Sequence, residues 1–80
     1  MTLSTYRSHE PLYTITVRHT DGEKWLRQFV RECQIQASVD KNRMHIFENH
    51  GLTKFQMKWK YSWQNVTVWD CWNRRHIMID

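Results

Sequence analysis

Glycine and proline are both scarce in this chain, with two Gly and one Pro among 80 residues. A backbone cradle for phosphate and a strained nucleophile elbow both need clustered glycine, so neither is expected here. Two cysteines, Cys33 and Cys71, are too few for the disulfide framework that holds small secreted domains together. No stretch approaches the roughly 20 consecutive apolar residues of a membrane-spanning helix, and residues 1 to 10 contain no apolar signal core. A cytoplasmic location without a membrane partner is the resulting expectation. The five histidines, His9, His19, His45, His50 and His76, show neither the i,i+4 helical spacing nor the paired-cysteine spacing of a metal site. No metal or cofactor is expected. Cys71 and His76 form the one nearby thiol and imidazole pair, and nothing around them supplies an oxyanion site. Neither an enzyme nor a small-molecule substrate is therefore expected.

What is abundant is aromatic and basic. Five Trp, three Tyr and three Phe supply large apolar areas per side chain, which lets a short chain build a core from few residues. Eighty residues leave room for one hydrophobic core, so residues 1 to 80 form a single domain, with 1 to 11 read as a flexible polar arm ending at Pro11. Lys and Arg outnumber Asp and Glu by 12 to 8, a net charge of +4. The excess is concentrated after residue 50, in the segment that also holds Trp59, Trp63, Trp69 and Trp72. Coincident basic and aromatic excess is the composition of a surface for nucleic acid or for an acidic protein surface.

Tyr13, Ile15 and Val17 alternate with Thr14, Thr16 and Arg18, the pattern of a half-buried strand over 12 to 20. Thr20 and Glu23 have capping-box spacing, and Trp25, Leu26, Phe29, Val30 and Cys33 recur on one helical stripe, predicting an amphipathic helix over 23 to 36. A turn around 40 to 42 precedes a strand over 43 to 48, and another turn follows at 49 to 51. Phe55, Met57, Trp59, Tyr61 and Trp63 then alternate with polar and basic residues, predicting a strand with one apolar and one lysine face. Gln64 and Asn65 read as a hairpin tip, 66 to 72 as the return strand, and 76 to 79 as an edge strand. The fold class predicted is α+β, one amphipathic helix packed on a four- or five-stranded antiparallel sheet, in the order β-α-β-β-β with or without a final strand.

One helix covers one sheet face, so the other is left for a partner. Alternation assigns that outer face Thr14, Thr16, Arg18, Arg43, His45, Phe47, Lys54, Lys58, Lys60, Thr67, Trp69 and Cys71. Phe47 and Trp69 are candidates for stacking bases, and the cations for phosphate contacts, with Arg74 and Arg75 in the neighbouring turn as further candidates. The function expected is a non-catalytic binding module, foremost for nucleic acid. The alternatives are a small protein-binding regulator or inhibitor of the kind phages and mobile elements encode, and a homodimerising structural domain joined through an edge strand. The same register turns Asp70 inward, where an unpaired carboxylate costs several kcal/mol, so either a peripheral position or a β-bulge is expected there.

Overall fold

A computed structural model describes residues 10 to 78 of the chain. The expected arm over 1 to 11 lies almost wholly outside the described residues. The fold is α+β, with five antiparallel strands in one open sheet and two helices. Strand β1 spans Tyr13–Val17, helix α1 Gly22–Cys33, β2 Ala37–Asp40, β3 Arg43–Ile46, helix α2 Gly51–Lys58, β4 Val66–Asp70 and β5 Arg75–Ile77. A 3-10 turn, Trp63–Asn65, leads into β4. The strand order across the sheet is β2-β3-β1-β4-β5, which puts β1 in the middle. Among the described residues no helix is long and apolar enough to cross a membrane.

Both helices pack on one face of the sheet. Leu26 and Phe29 from α1, with Phe55 from α2 and Trp59 just after it, form one cluster with Ile15, Val17, Met44, Ile46 and Val68 from the strands. Alternation in β1, β3 and β4 aims these strand residues inward, as their sequence pattern predicts. The helix stripe is also as expected, with Leu26 and Phe29 at its buried centre. Its start differs, since Asp21 is the N-cap and no side-chain cap hydrogen bond forms. The expected Thr20 and Glu23 capping box is therefore not made.

The main correction concerns residues 51 to 63. The sequence pattern predicts a strand over 54 to 63 after a turn at 49 to 51, but 51 to 58 are helical and 59 to 62 form an irregular segment. Phe55 and Trp59 are four apart, so they satisfy a period of two and a helical period alike. Gly51, Phe55 and Trp59 are buried on the helical stripe, whereas Met57, which fits only the alternation, is 80% exposed. Leu52, Lys54, Gln56, Met57 and Lys58 are all strong helix formers, so local propensity agrees with the outcome. Without a strand at 54 to 63 there is no hairpin at Gln64 and Asn65, and β4 pairs with β1 instead. Trp72, expected inside on the return strand, is 58% exposed beyond the end of β4.

Strand β2 is an addition that the sequence reading missed. It joins β3 through a two-residue turn, Lys41 and Asn42, with Asp40 paired to Arg43. Such turns normally carry glycine at a left-handed position, and here Lys41 adopts it at φ 56°. Gln34 at the C-cap of α1 (φ 52°) and Arg74 (φ 55°) are also left-handed. The two glycines have another use. A methyl group at Gly22 would meet Val17 Cγ2 at 2.6 Å, and one at Gly51 would collide with Ile46 Cγ2. Each lets a helix start lie directly on the sheet. Left-handed geometry costs an L-residue about 1–2 kcal/mol, part of which glycine returns as unfolded-state entropy. Gln34→Gly and Lys41→Gly should therefore each raise stability by about 0.5–1 kcal/mol, read as a shift in the urea midpoint at unchanged slope.

Asp70 does point inward and is 9% exposed, yet no bulge relieves it. Its carboxylate accepts hydrogen bonds from the backbone N–H groups of Trp72 (3.1 Å) and Asn73 (3.2 Å) and from Asn73 Nδ2 (2.7 Å). The side chain thus closes the β4–β5 turn. Among the described residues every buried side-chain nitrogen and oxygen has a partner.

Candidate functional site

Strand pairing fixes which side chains share the uncovered sheet face. Ser38 pairs with His45, His45 with Thr14, Thr14 with Trp69, and Trp69 with His76. These five form one row across all five strands, about 19 Å wide at a strand spacing of about 4.8 Å. The Trp69 ring meets the His76 ring edge-on, with centroids 4.9 Å apart. Thr14 Oγ1 lies 3.1 Å from His45 Nδ1 and 3.7 Å from Cys71 Sγ. Neither Trp69 nor His45 is fully buried, and His76 is exposed.

Of the candidate residues named from sequence, Trp69 and Arg43 have the outer-face register, and Phe47 and Arg18 follow β3 and β1 by one residue, in line with the same alternation. Phe47 follows β3 directly and is half-buried, its N–H donating to Gln36 O at 2.7 Å. Arg43 is exposed and forms an ion pair with Asp40 at 3.2 Å. Both side chains of that pair are more than half exposed, so it contributes under about 1 kcal/mol and leaves the guanidinium exchangeable. Arg18, at the end of β1, donates weakly to Gln64 O at 3.4 Å. Arg74 projects from the β4–β5 turn.

The remaining cations lie elsewhere. Lys54 and Lys58 sit one turn apart on α2, and Lys60 lies just beyond it, so all three are on the helix-covered side. Their assignment to the outer sheet face is wrong, because it assumed a strand that is a helix. Arg75 has the inner-face register, opposite Asp70. Its charge helps to hold that carboxyl down. Burial pushes the Asp70 carboxyl up, but the Asn73 side chain, the Asn73 and Trp72 N–H groups and Arg75 outweigh it, and the group titrates below its ordinary 3.8.

No family model, curated protein or solved structure matches the chain.

The surface is thus assembled from residues on all five strands and their ends. His45 and His76 were not among the candidates chosen from sequence. Alternation from Arg43 does place His45 on the outer face, whereas His76 lies across the β4–β5 turn from Trp69, and the row that joins them depends on strand pairing. Among the described residues no three His, Cys, Asp or Glu side chains converge as metal ligands.

Proposed function

We propose that this chain is a non-catalytic binding module that takes single-stranded nucleic acid on its uncovered sheet face. The observation that carries this is the position of Trp69: partly exposed, on the uncovered face, between Thr14 and His76 in a row that also includes His45. Aromatic side chains on open antiparallel sheets stack unpaired bases, at about 1–3 kcal/mol per base. Phe47 offers a second ring two strands away. Arg43, Arg18 and Arg74 lie toward the margins, where backbone phosphates would run, and the net charge of +4 favours a polyanion. Cys33 and Cys71 are free thiols, compatible with action in a reducing cytoplasm.

The test is fluorescence anisotropy with a labelled single-stranded oligonucleotide over a range of salt. Trp69→Ala should weaken binding by roughly 5- to 150-fold, the range set by the loss of one stacked base. Arg43→Glu should reduce the salt slope by about 1 or more. Binding that ignores salt, or survives Trp69→Ala unchanged, would reject this face. A dimer in light scattering that dissociates in the Trp69 variant would make the face a homodimer contact instead.

A further inference from the structure

The three lysines removed from the sheet face collect on a second surface. Along α1 a series of hollows faces α2 and the segment after it. One, of about 200 Å³, has Trp25, Gln28 and Glu32 on the α1 side and Lys58, Lys60 and Tyr61 opposite. A second, of about 220 Å³, shares Trp25, Gln28 and Tyr61 with it and extends to Lys24. A third, of about 250 Å³, shares Cys33 and Lys58 with the first and is bounded by Lys54 and Met57. Together they run from Asp21 to Cys33, which is about 18 Å of helix. That length matches about three turns of a second helix laid alongside.

The walls differ in charge. Glu32 on α1 already accepts a hydrogen bond from Gln28 Nε2 at 2.9 Å. Lys54, Lys58 and Lys60 on the other wall have no ion-pair partner among the described residues. Met57 sits between them on α2 and is 80% exposed. Trp25 already stacks on Phe29, centroids 5.2 Å apart, and Tyr61 lies against His19 and Trp59. The groove therefore presents little free ring face to a nucleobase. It does present aliphatic surface, in Met57 and the methylene stems of Lys54 and Lys58.

We infer that the α1–α2 groove docks an acidic amphipathic helix of a partner protein. The partner's apolar stripe lies on Met57 and the lysine stems, and its carboxylates face the Lys54, Lys58 and Lys60 wall. Helix-in-groove recognition supplies the apolar anchor, while the one-sided charge sets the orientation. The domain then has two binding faces, one on each side of the sheet.

A labelled peptide of about four helical turns, with leucine at i, i+3, i+4 and i+7 and glutamate on the flanks, is the probe, against a scrambled peptide of the same composition. Saturable binding at least about tenfold tighter than the scrambled control is expected. The triple change Lys54→Glu, Lys58→Glu and Lys60→Glu should weaken it by a further tenfold or about that, and Met57→Glu should act in the same direction. Circular dichroism should show both variants folded. Trp69→Ala should leave peptide binding unchanged, which separates this groove from the sheet face. Equal binding of the scrambled peptide would overturn the inference, as would affinity untouched by the lysine or Met57 changes. A single-stranded oligonucleotide bound through these lysines in place of the peptide would overturn it too, and would assign the groove to nucleic acid.

Discussion

Phe55→Ala should cost about 3–5 kcal/mol of stability, enough to leave much of the population unfolded at ordinary temperature. Phe55 is fully buried and stands where α1, α2 and the 3-10 turn meet. Its ring is stacked with Trp59 at 5.1 Å and edge-on to Trp25, Phe29 and Trp63 at 5.6, 5.7 and 5.7 Å. Truncation removes the apolar area, leaves a cavity and breaks four aromatic pairs, each worth about 0.5–1.5 kcal/mol beyond its area. At about 0.05–0.15 kcal/mol per residue, a domain of this size has only about 4–12 kcal/mol in total. Met57→Ala is the matched control. An exposed helix position of this kind should change stability by less than about 0.5 kcal/mol. A strand over 54 to 63 would have made both residues core, so equal losses in urea denaturation would contradict helix α2. Phe55→Leu keeps most of the volume and gives a folded variant for the comparison.

Asp70→Ala should destabilise by about 1.5–3 kcal/mol, because it removes a charged acceptor and strands the donors it satisfied. The backbone N–H groups of Trp72 and Asn73 and the Asn73 amide would all lose this partner. The pH dependence has a definite sign. The folded carboxyl titrates below its ordinary 3.8, so in that window the unfolded chain binds more protons than the folded one. Its contribution is present above the ordinary value and is lost as pH falls through the lower folded value. Comparing wild type with Asp70→Asn isolates this from the other carboxylates. The stability difference should shrink on going from neutral pH to below 3.8, and a difference that stays constant or grows would mean that the carboxylate is not held down by these donors.

How legible each element was depended on whether its signal was local. The α1 stripe from Trp25 to Cys33 fits a period of 3.6 and no other, and β1 and β3 alternate cleanly, so their buried faces follow directly. Residues 54 to 59 fit two periods at once, and the choice fell to packing: only the helix lets Phe55 join Trp25 and Phe29 while Gly51 rests on Ile46. Strand β2 is four residues long and its turn lacks glycine. Neither length nor turn chemistry announced it. For the candidate site, Trp69, Phe47, Arg43 and Arg18 were reachable by alternation. The three lysines were misplaced by the same rule, applied where the backbone is helical.

The amino-acid pattern by itself determined the α+β class, the amphipathic α1, the apolar faces of β1, β3 and β4, and the inward direction of Asp70, because each rests on side-chain direction along a few consecutive residues. Only the tertiary structure decided that 51 to 58 are helical, that β1 lies between β3 and β4, and that His45, Thr14, Trp69 and His76 share a row. Those outcomes arise from contacts between segments far apart in the chain, where close packing selects among locally equivalent conformations, and no local period carries that information.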